Sequence, residues 1–522
     1  MKSMSRACAA VAGLILLAQP GSAQEHAHGA GDLGSVSFPV TCSPEARVRM
    51  NTAVAMLHSF WFPEARRAFE EVAEADPGCG IAWWGVALTH FGNPMAGGSG
   101  SSGQAAGWAA AQKGLAAGAR TARERQYIEA AAVLFRDHAT VDNRTRMRAY
   151  ERAMQAIAEQ YPDDTEARIF HSIFMVANAS PTDLTFAQQK RAAEVLTRLY
   201  REQPRHPGLA HYIIHAFDSP PLAQLALDAA RQYADIAPAA PHAQHMPSHI
   251  FTRLGYWDES IRVNRRSADL EDTPGGKSHP MDYLVYAYLQ QGKDAEALNV
   301  IQELGGNTTG EYIAGTLGSY NAVAIPARYA LERDDWASAA RLAVPEAPPS
   351  VEAVTRFARG LGAARGGDAA VAKAETAALG RIVQELTRQN DSYWAHVVDA
   401  QRLAVQAWIA EAEGRHEQAV ADARAAADKE EQVEKHPVTP GPLIPARELL
   451  GDLYMKQSRP EEALAAYEQT LRKEPNRLRT LVGAARAARA AGRPDVAERH
   501  MSAVRALIDP ASPRAGALTR MQ

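Results

Sequence analysis

Four histidines with a repeated spacing are the residues best suited to chemistry. His211 and His215 are one helical turn apart, and His245 and His249 repeat that spacing 34 residues later. Side chains four residues apart lie on the same face of a helix. A 34-residue period is typical of helix–turn–helix repeats that stack side by side. The spacing therefore predicts two neighbouring helices that present matched histidine pairs to one groove.

The groove-facing positions can be found by counting back from a small residue in the second helix of each repeat. This count places both histidine pairs in the groove. In the third repeat the landmark is Ala297, and the equivalent positions are Asp282 and Tyr286. A repeat period of 34 residues would instead make His279 the equivalent of His245. We follow the Ala297 landmark and not the period in this repeat. Side chains one turn away add further groove-facing groups, namely Asp218, His242 and His279.

Together these side chains predict a transition-metal site. Packed helices lie about 8–10 Å apart, so imidazoles from two helices can reach one ion. Imidazole binds Zn, Cu, Fe or Ni, a carboxylate can complete four ligands, and no organic cofactor is expected. A cluster held by hydrogen bonds alone and direct binding of an organic ligand or peptide are the alternatives. The candidate metal ligands are His211, His215, His245, His249, Asp218, His242, His279 and Asp282.

Three classes of function fit such a groove. A scaffold would bind a protein, a peptide or a small molecule through His58, Arg253, Tyr286 and Arg328. A metal carrier or sensor would enclose its ion in four protein ligands. A metalloenzyme would leave one position open and use Asp282 or Tyr286 as acid or base. The sequence has no glycine-rich phosphate loop, haem-attachment motif or nucleophile elbow, and it leaves open whether the chain is an enzyme.

Recurring landmarks mark the helices that must position these residues. The small residue allows two helices to approach closely, and a proline twelve positions later ends the second helix. The pairs are Ala65/Pro77, Ala192/Pro204, Ala226/Pro238 and Ala463/Pro475.

Two stretches with these landmarks resemble the tetratricopeptide repeat family. They are ARELLGDLYMKQSRPEEALAAYEQTLRKEPNR (446–477) and IAWWGVALTHFG (81–92). The resemblance covers most of residues 44–509 and implies an all-α fold, an α-solenoid of stacked antiparallel helix pairs. Such a resemblance is specific for the fold and implies no particular function.

Changes in pattern divide the chain into successive regions. Residues 24–43 are predicted to be a flexible extension, 44–345 a solenoid with the His-rich groove, 346–436 a set of long-helix repeats, and 437–522 a C-terminal repeat pair and tail. Gly92 to Gly107 is a glycine-rich insertion that we expect to be mobile and to reach over the groove as a lid. Prolines from Pro437 to Pro445 suggest a joint between regions.

The N-terminus indicates export. Residues 1–23 combine Lys2 and Arg6, a short apolar run and small residues before a predicted cleavage after Ala23, which is the pattern of a secretory signal peptide. The mature protein is therefore expected to be periplasmic or secreted. After cleavage His26 becomes the third residue, a position that suits a Cu(II) or Ni(II) site, with a solvated tail as the alternative.

Export also permits a disulfide between the remaining cysteines, Cys42 and Cys79. They lie at two ends that antiparallel helices bring together, with two free thiols as the alternative. The net charge of −4 and the lack of a basic run argue against a nucleic-acid partner. No stretch after the signal approaches the roughly 20 apolar residues needed for a membrane span.

Overall fold

Helices are the main element of the fold. A computed structural model describes residues 33–309 and 319–514, and within those ranges there is no strand. The predicted signal peptide and the His26 site lie outside the described residues. No described helix has both the length and the apolar character needed to cross a bilayer.

The helices follow one another with short connections. The first group is α1 Pro44–His58, α2 Phe62–Ala75, α3 Ala82–Phe91, α4 Ser101–Ala117, α5 Ala122–Phe135, α6 Asn143–Gln160, α7 Thr165–Ala177 and α8 Ala187–Glu202. The central group is α9 Pro207–Phe217, α10 Leu227–Ile236, α11 Pro241–His245, α12 Pro247–Leu254, α13 Trp257–Leu270, α14 Pro274–Gln290 and α15 Asp294–Glu303. The last group is α16 Tyr320–Leu331, α17 Trp336–Ala339, α18 Pro349–Gly366, α19 Ala369–Arg388, α20 Ser392–Ala412, α21 His416–Glu430, α22 Ala446–Lys456, α23 Pro460–Lys473, α24 Leu478–Ala490 and α25 Pro494–Leu507.

The sequence landmarks coincide with helix ends and close contacts. Each landmark proline follows the end of its helix by two residues, as Pro77 follows α2. The four landmark alanines are fully buried. A Cβ added at Gly85 would lie only 2.4 Å from the ring of Phe69, so the helices α2 and α3 approach as closely as the landmarks predict. Each helix packs against the next along the chain, which confirms the all-α solenoid.

The C-terminal repeats also contact the central ones. Helix α24 packs against α14, and the indole of Trp257 donates to the carbonyl of Asn476 at 2.9 Å. The hydroxyl of Ser512 donates to the carbonyl of Gly292. The two hydrogen bonds join residues 219 and 220 positions apart, so the two halves of the chain share one structure around α14.

The N-terminal extension and the glycine-rich insertion are more ordered than expected. Leu33 and Phe38 are buried in the core, so the described part of the extension, residues 33–43, is packed rather than flexible. Residues 101–117 of the insertion region form α4 instead of a mobile loop, which leaves 92–100 as the connection. Alanines among the glycines explain this helix, because they favour it strongly.

The predicted disulfide is present. Cys42 and Cys79 are bonded, with their Cα atoms 5.2 Å apart. The bridge links the start of α1 to the segment between α2 and α3. It therefore ties the first helix pair to the repeat that follows it.

Candidate metal centre

Four helices bring six histidines into one chamber. Helix α9 supplies His211 and His215, α11 supplies His242 and His245, α12 supplies His249, and α14 supplies His279. The rings form two trios, within each of which the ligand nitrogens lie within 4.8 Å of one another. The first trio is His211, His215 and His242, and the second trio is His245, His249 and His279.

The two rings of each histidine pair lie side by side, one helical turn apart, as the sequence predicts. The rings of His211 and His215 are 4.8 Å apart between centroids, one turn along α9. His245 and His249 are 4.9 Å apart, although Pro247 starts a new helix between them. Met246 keeps helical backbone angles, so the one-turn spacing is preserved across the junction.

In the second trio, two hydrogen bonds fix the protonated nitrogens of the rings. The Nδ1 of His245 lies 2.7 Å from Oδ1 of Asn264, whose Nδ2 donates to the carbonyl of Ser260 and thereby sets the amide orientation. The Nδ1 of His249 lies 2.9 Å from Oδ2 of Asp218. Both acceptors require an N–H at Nδ1, so each neutral ring offers a lone pair at Nε2. Those two Nε2 atoms face each other at 3.0 Å.

The first trio is similar. Nδ1 of His211 donates to the carbonyl of His58 at 2.6 Å, which leaves its Nε2 lone pair 3.2 Å from Nε2 of His242. Within the described ranges neither ring nitrogen of the buried His215 has a hydrogen-bond partner. Buried polar atoms are normally paired, so the two ring nitrogens of His215 are open to a further partner.

Burial keeps these rings neutral. It lowers the pKa of His211, His215, His242, His245 and His279 well below the ordinary value of 6.5, and neighbouring histidines lower it further. Burial also lowers the pKa of His249, although Asp218 opposes that shift. Neutral imidazole is the form that binds metal, so the chamber holds six rings in the ligating state.

Asp218 orients a ligand from outside the chamber. Its carboxylate contacts Nδ1 of His249, on the far side of the ring from the second trio. It also accepts from Nε of Arg253 at 2.9 Å and from Nζ of Lys435 at 3.1 Å. Burial opposes ionisation, but Lys435 and Arg253 hold the pKa of this carboxyl well below its usual range. Asp218 therefore supports the site in the way that carboxylates support metal-binding histidines, and it does not complete a trio.

The structure does not bring Asp282 to the histidines. Its carboxylate accepts from Nε of Arg328 at 3.0 Å and from Nδ2 of Asn321 at 3.3 Å. Tyr286 likewise accepts from Arg477 at 3.2 Å and packs against Trp257. The predictions of Asp282 as a ligand and of Asp282 or Tyr286 as acid or base therefore correspond to no contact with the trios.

The remaining groove residues are buried in polar networks. His58 contacts Glu166 through Nε2 at 2.7 Å and the hydroxyl of Tyr212 through Nδ1 at 3.0 Å. Glu166 also contacts His206 at 2.9 Å. Both ring nitrogens of His58 and both carboxylate oxygens of Glu166 are hydrogen-bonded, so this group fits a structural role. Arg253 bonds to Asp218 and Glu434, and Arg328 is paired with Asp282, so neither presents a free charge to a partner.

Tyr283 is a chamber residue that the landmark count missed. Its hydroxyl lies 3.4 Å from both ring nitrogens of His249, and its ring packs against His245 with centroids 4.9 Å apart. Tyr283 and His279 lie 34 positions after His249 and His245. A repeat period of 34 residues therefore identifies both residues. The Ala297 landmark selects Asp282 and Tyr286 instead, and these lie about 60° around α14 from His279 and Tyr283.

A segment from the C-terminal half covers the chamber. Residues 431–445, here called the strap, connect α21 to α22. The hydroxyl of Tyr283 donates to the carbonyl of Thr439 at 3.2 Å, and Asn321 donates to the carbonyl of Val438 at 2.7 Å. Ion pairs of Lys435 with Asp218 and of Glu434 with Arg253 hold the start of the strap. The sequence indicated only a joint here.

A cavity reaches the first trio from outside. Its walls are formed by His215, Asp218, Lys435, His436 and the Pro94–Gly97 segment. This segment belongs to the insertion that was predicted to act as a lid. Further lining residues are Phe186, Tyr393 and Trp394. The cavity therefore borders the chamber at the His215 end, where both ring nitrogens of His215 are buried.

The repeats match a known family. Residues 62–94 and 449–513 match the tetratricopeptide repeat family model. Together with the successive helix pairs, this confirms the predicted resemblance to tetratricopeptide repeats in those two segments, and the fold is of the all-α class. No curated protein matches the sequence.

Solved structures with similar helix arrangements include three repeat proteins. The Cut9–Hcn1 hetero-tetramer of the APC/C is 14% identical, with a TM-score of 0.34 and coverage of 91% of this chain and 95% of that one. The human IFIT1 dimer with m7Gppp-AAAA is 9% identical, with a TM-score of 0.39 and coverage of 82% and 90%. Yeast Tom70 is 9% identical, with a TM-score of 0.34 and coverage of 88% and 92%.

Proposed function

We propose that this tetratricopeptide repeat protein is exported and binds transition-metal ions in its six-histidine chamber. The observation that carries the proposal is the 3.0 Å approach of the Nε2 atoms of His245 and His249. Asn264 and Asp218 occupy the opposite nitrogens, so two lone pairs face each other in a buried space. Such a contact is repulsive unless a cation lies between them.

A metal ion suits this geometry better than a proton. A proton would place a net charge on rings whose burial lowers their pKa. Two nitrogens about 2.0–2.1 Å from one tetrahedral zinc ion lie roughly 3.4 Å apart, close to the 3.0 and 3.2 Å separations in the trios. Outer hydrogen bonds to an amide, a carboxylate and a backbone carbonyl are the supports that ligating histidines use. Neutral imidazole favours Zn, Cu, Fe or Ni.

The test compares metal binding in the wild type and in a His215→Gln/His249→Gln variant. The side chains of His215 and His249 are both buried, so alanine would leave cavities, whereas glutamine largely preserves volume and polarity. We expect Zn(II), Cu(II) or Ni(II) to raise the melting temperature of the wild type and elemental analysis to find bound metal after desalting. The double variant should lose both effects.

A His416→Gln variant is the matched control, because His416 is exposed on α21 and far from the trios in sequence. It should behave as the wild type does. A metal-dependent rise in melting temperature that persists in the double variant would show that the chamber is not the binding site.

Binding of a protein partner by the repeats is a second candidate function. The match of residues 449–513 to the family, in repeats separate from the histidines, favours it. A truncated chain is unsuitable for its test, because α24 packs against α14. Cross-linking of the intact protein in periplasmic extract, with and without chelator, distinguishes metal-independent partner binding from a role of the chamber.

A further inference from the structure

We infer that the chamber holds two metal ions that share a small anionic ligand. This inference rests on the proposed metal-binding function and deepens it. Each trio contains three nitrogens within 4.8 Å of one another, which is a complete three-ligand set for one ion. The chamber therefore has the donors for two centres rather than a choice of ligands for one.

The two trios are contiguous. Across the boundary between them, the ring centroids of His215 and His249 are 6.1 Å apart, and those of His242 and His245 are 5.9 Å apart. Within the trios the corresponding separations reach 6.5 Å for His215 and His242 and 6.0 Å for His249 and His279. Because rings of different trios are as close as rings of the same trio, ions held by each trio are neighbours within reach of one bridging ligand.

The charge of the chamber specifies the class of that ligand. The six imidazoles are neutral ligands, so two divalent ions would bring four positive charges into a buried space. Asp218 is the adjacent carboxylate, and Arg253 and Lys435 already neutralise it at 2.9 and 3.1 Å. Buried charge requires compensation, and three protein ligands leave each ion an open position. A small anion such as hydroxide, placed between the ions, offsets one of those charges and fills the open position on each ion.

The surroundings of the chamber admit such an anion. The cavity beside His215 borders the first trio, and its wall includes Lys435, which is paired with Asp218. On the opposite side, the hydroxyl of Tyr283 lies 3.4 Å from the ring nitrogens of His249, so the second trio also borders a polar group.

The experiment titrates Cu(II), the metal alone, into chelator-treated protein and counts bound ions by elemental analysis. The wild type should bind two equivalents. His242→Gln, in the first trio, and His279→Gln, in the second, should each bind one, because each removes one trio. These two histidines are only partly buried, which makes their variants less disruptive to folding. Melting curves without metal check that each variant is folded, and His416→Gln serves as the control.

Electron paramagnetic resonance then tests the bridge. Two Cu(II) ions joined by one anion couple magnetically, so the integrated signal of the wild type should be much smaller than two spins per chain. The single variants should give a full signal from one ion. Added azide, a probe for an exchangeable bridging anion, should change the absorption spectrum of the wild type and have little effect on either single variant.

The possible outcomes separate the two proposals. No bound metal in the wild type overturns the proposed function itself. One equivalent in the wild type, lost in either variant, keeps the proposed function but overturns the two-ion centre. Two equivalents with a signal of two uncoupled spins overturn the shared ligand.

Discussion

Single hydrogen bonds decide which nitrogen three of the six chamber histidines offer. Asn264, Asp218 and the carbonyl of His58 each accept from an Nδ1–H, and each thereby directs a lone pair inward. Hydrogen-bonded rings also keep their orientation, so the ligand atoms are arranged before an ion arrives. The arrangement leaves repulsive contacts between Nε2 atoms in the metal-free protein.

The metal-free protein should lose stability as the pH falls below 6.5. In the unfolded chain a histidine gains its proton near pH 6.5, whereas burial keeps the folded pKa of five chamber histidines well below that value. The unfolded state therefore binds more protons, and the stability present above pH 6.5 declines as the pH falls towards the folded values. One pKa unit corresponds to about 1.4 kcal/mol per group.

Urea denaturation at pH 7.5 and pH 5.5, in chelator, measures this effect. Each affected histidine should contribute roughly 1 kcal/mol to the loss of unfolding free energy over that interval. The His215→Gln/His249→Gln variant should lose less than the wild type, and His416→Gln should match the wild type. An unfolding free energy that does not change with pH would show that the rings are charged, or solvated, in the folded protein.

At the scale of elements, the strap depends on buried ion pairs. Arg328 and Asp282 are both fully buried and paired at 3.0 Å. The same guanidinium donates to the carbonyl of Pro442 and to the hydroxyl of Thr439, each at 3.0 Å. One side chain on α16 thus holds α14 and the strap together. Asp282 contributes to the fold through this contact.

Removing Arg328 alone should destabilise the protein strongly. An Arg328→Met variant leaves the Asp282 carboxylate buried without its charged partner, which costs about 3–5 kcal/mol. The double variant Arg328→Met/Asp282→Leu removes the unpaired charge and should recover much of that loss. Denaturation midpoints of the wild type, both single variants and the double variant form the cycle. Additive effects in the double variant would mean that the two side chains are not energetically coupled.

The sequence predicts the positions of the chamber histidines better than it predicts the strap that covers them. The 34-residue period identifies both histidine pairs because the repeats keep equivalent faces in register. The landmark count fails in the third repeat, where α14 begins at Pro274 and contains Pro280, so the face towards the histidines carries His279 and Tyr283. Lys435 and Asp218 are 217 positions apart, and no periodicity within a repeat reports a contact of that range.

At the scale of the whole molecule, the disulfide and the C-terminal contacts restrain opposite ends of the chain. The Cys42–Cys79 bond closes a loop with a sequence separation of 37 around the first helix pair. The contacts of α24 with α14 join the C-terminal repeats to the central ones. The six histidines lie between these two restraints in the sequence.

Loss of the disulfide should lower stability without reducing metal affinity. On the chain-entropy estimate, a loop of this size contributes roughly 3–4 kcal/mol. A Cys42→Ser/Cys79→Ser variant should therefore melt at a lower temperature, while its metal stoichiometry stays that of the wild type. Thiol labelling of the unfolded, unreduced wild type should detect no free thiol at either cysteine. Two labelled thiols would contradict the bond.

The strap is synthesised after all the histidines that it covers. His279, the last chamber histidine, precedes Lys435 by 156 positions. At synthesis rates of 5–20 residues per second, the complete histidine set emerges roughly 10–30 s before the segment that covers it. Under the proposed metal-binding function, an ion that arrives in that interval would meet ligands on an uncovered face, whereas a later one would meet them beneath the strap. Docking of the C-terminal repeats would then separate two routes of metal loading.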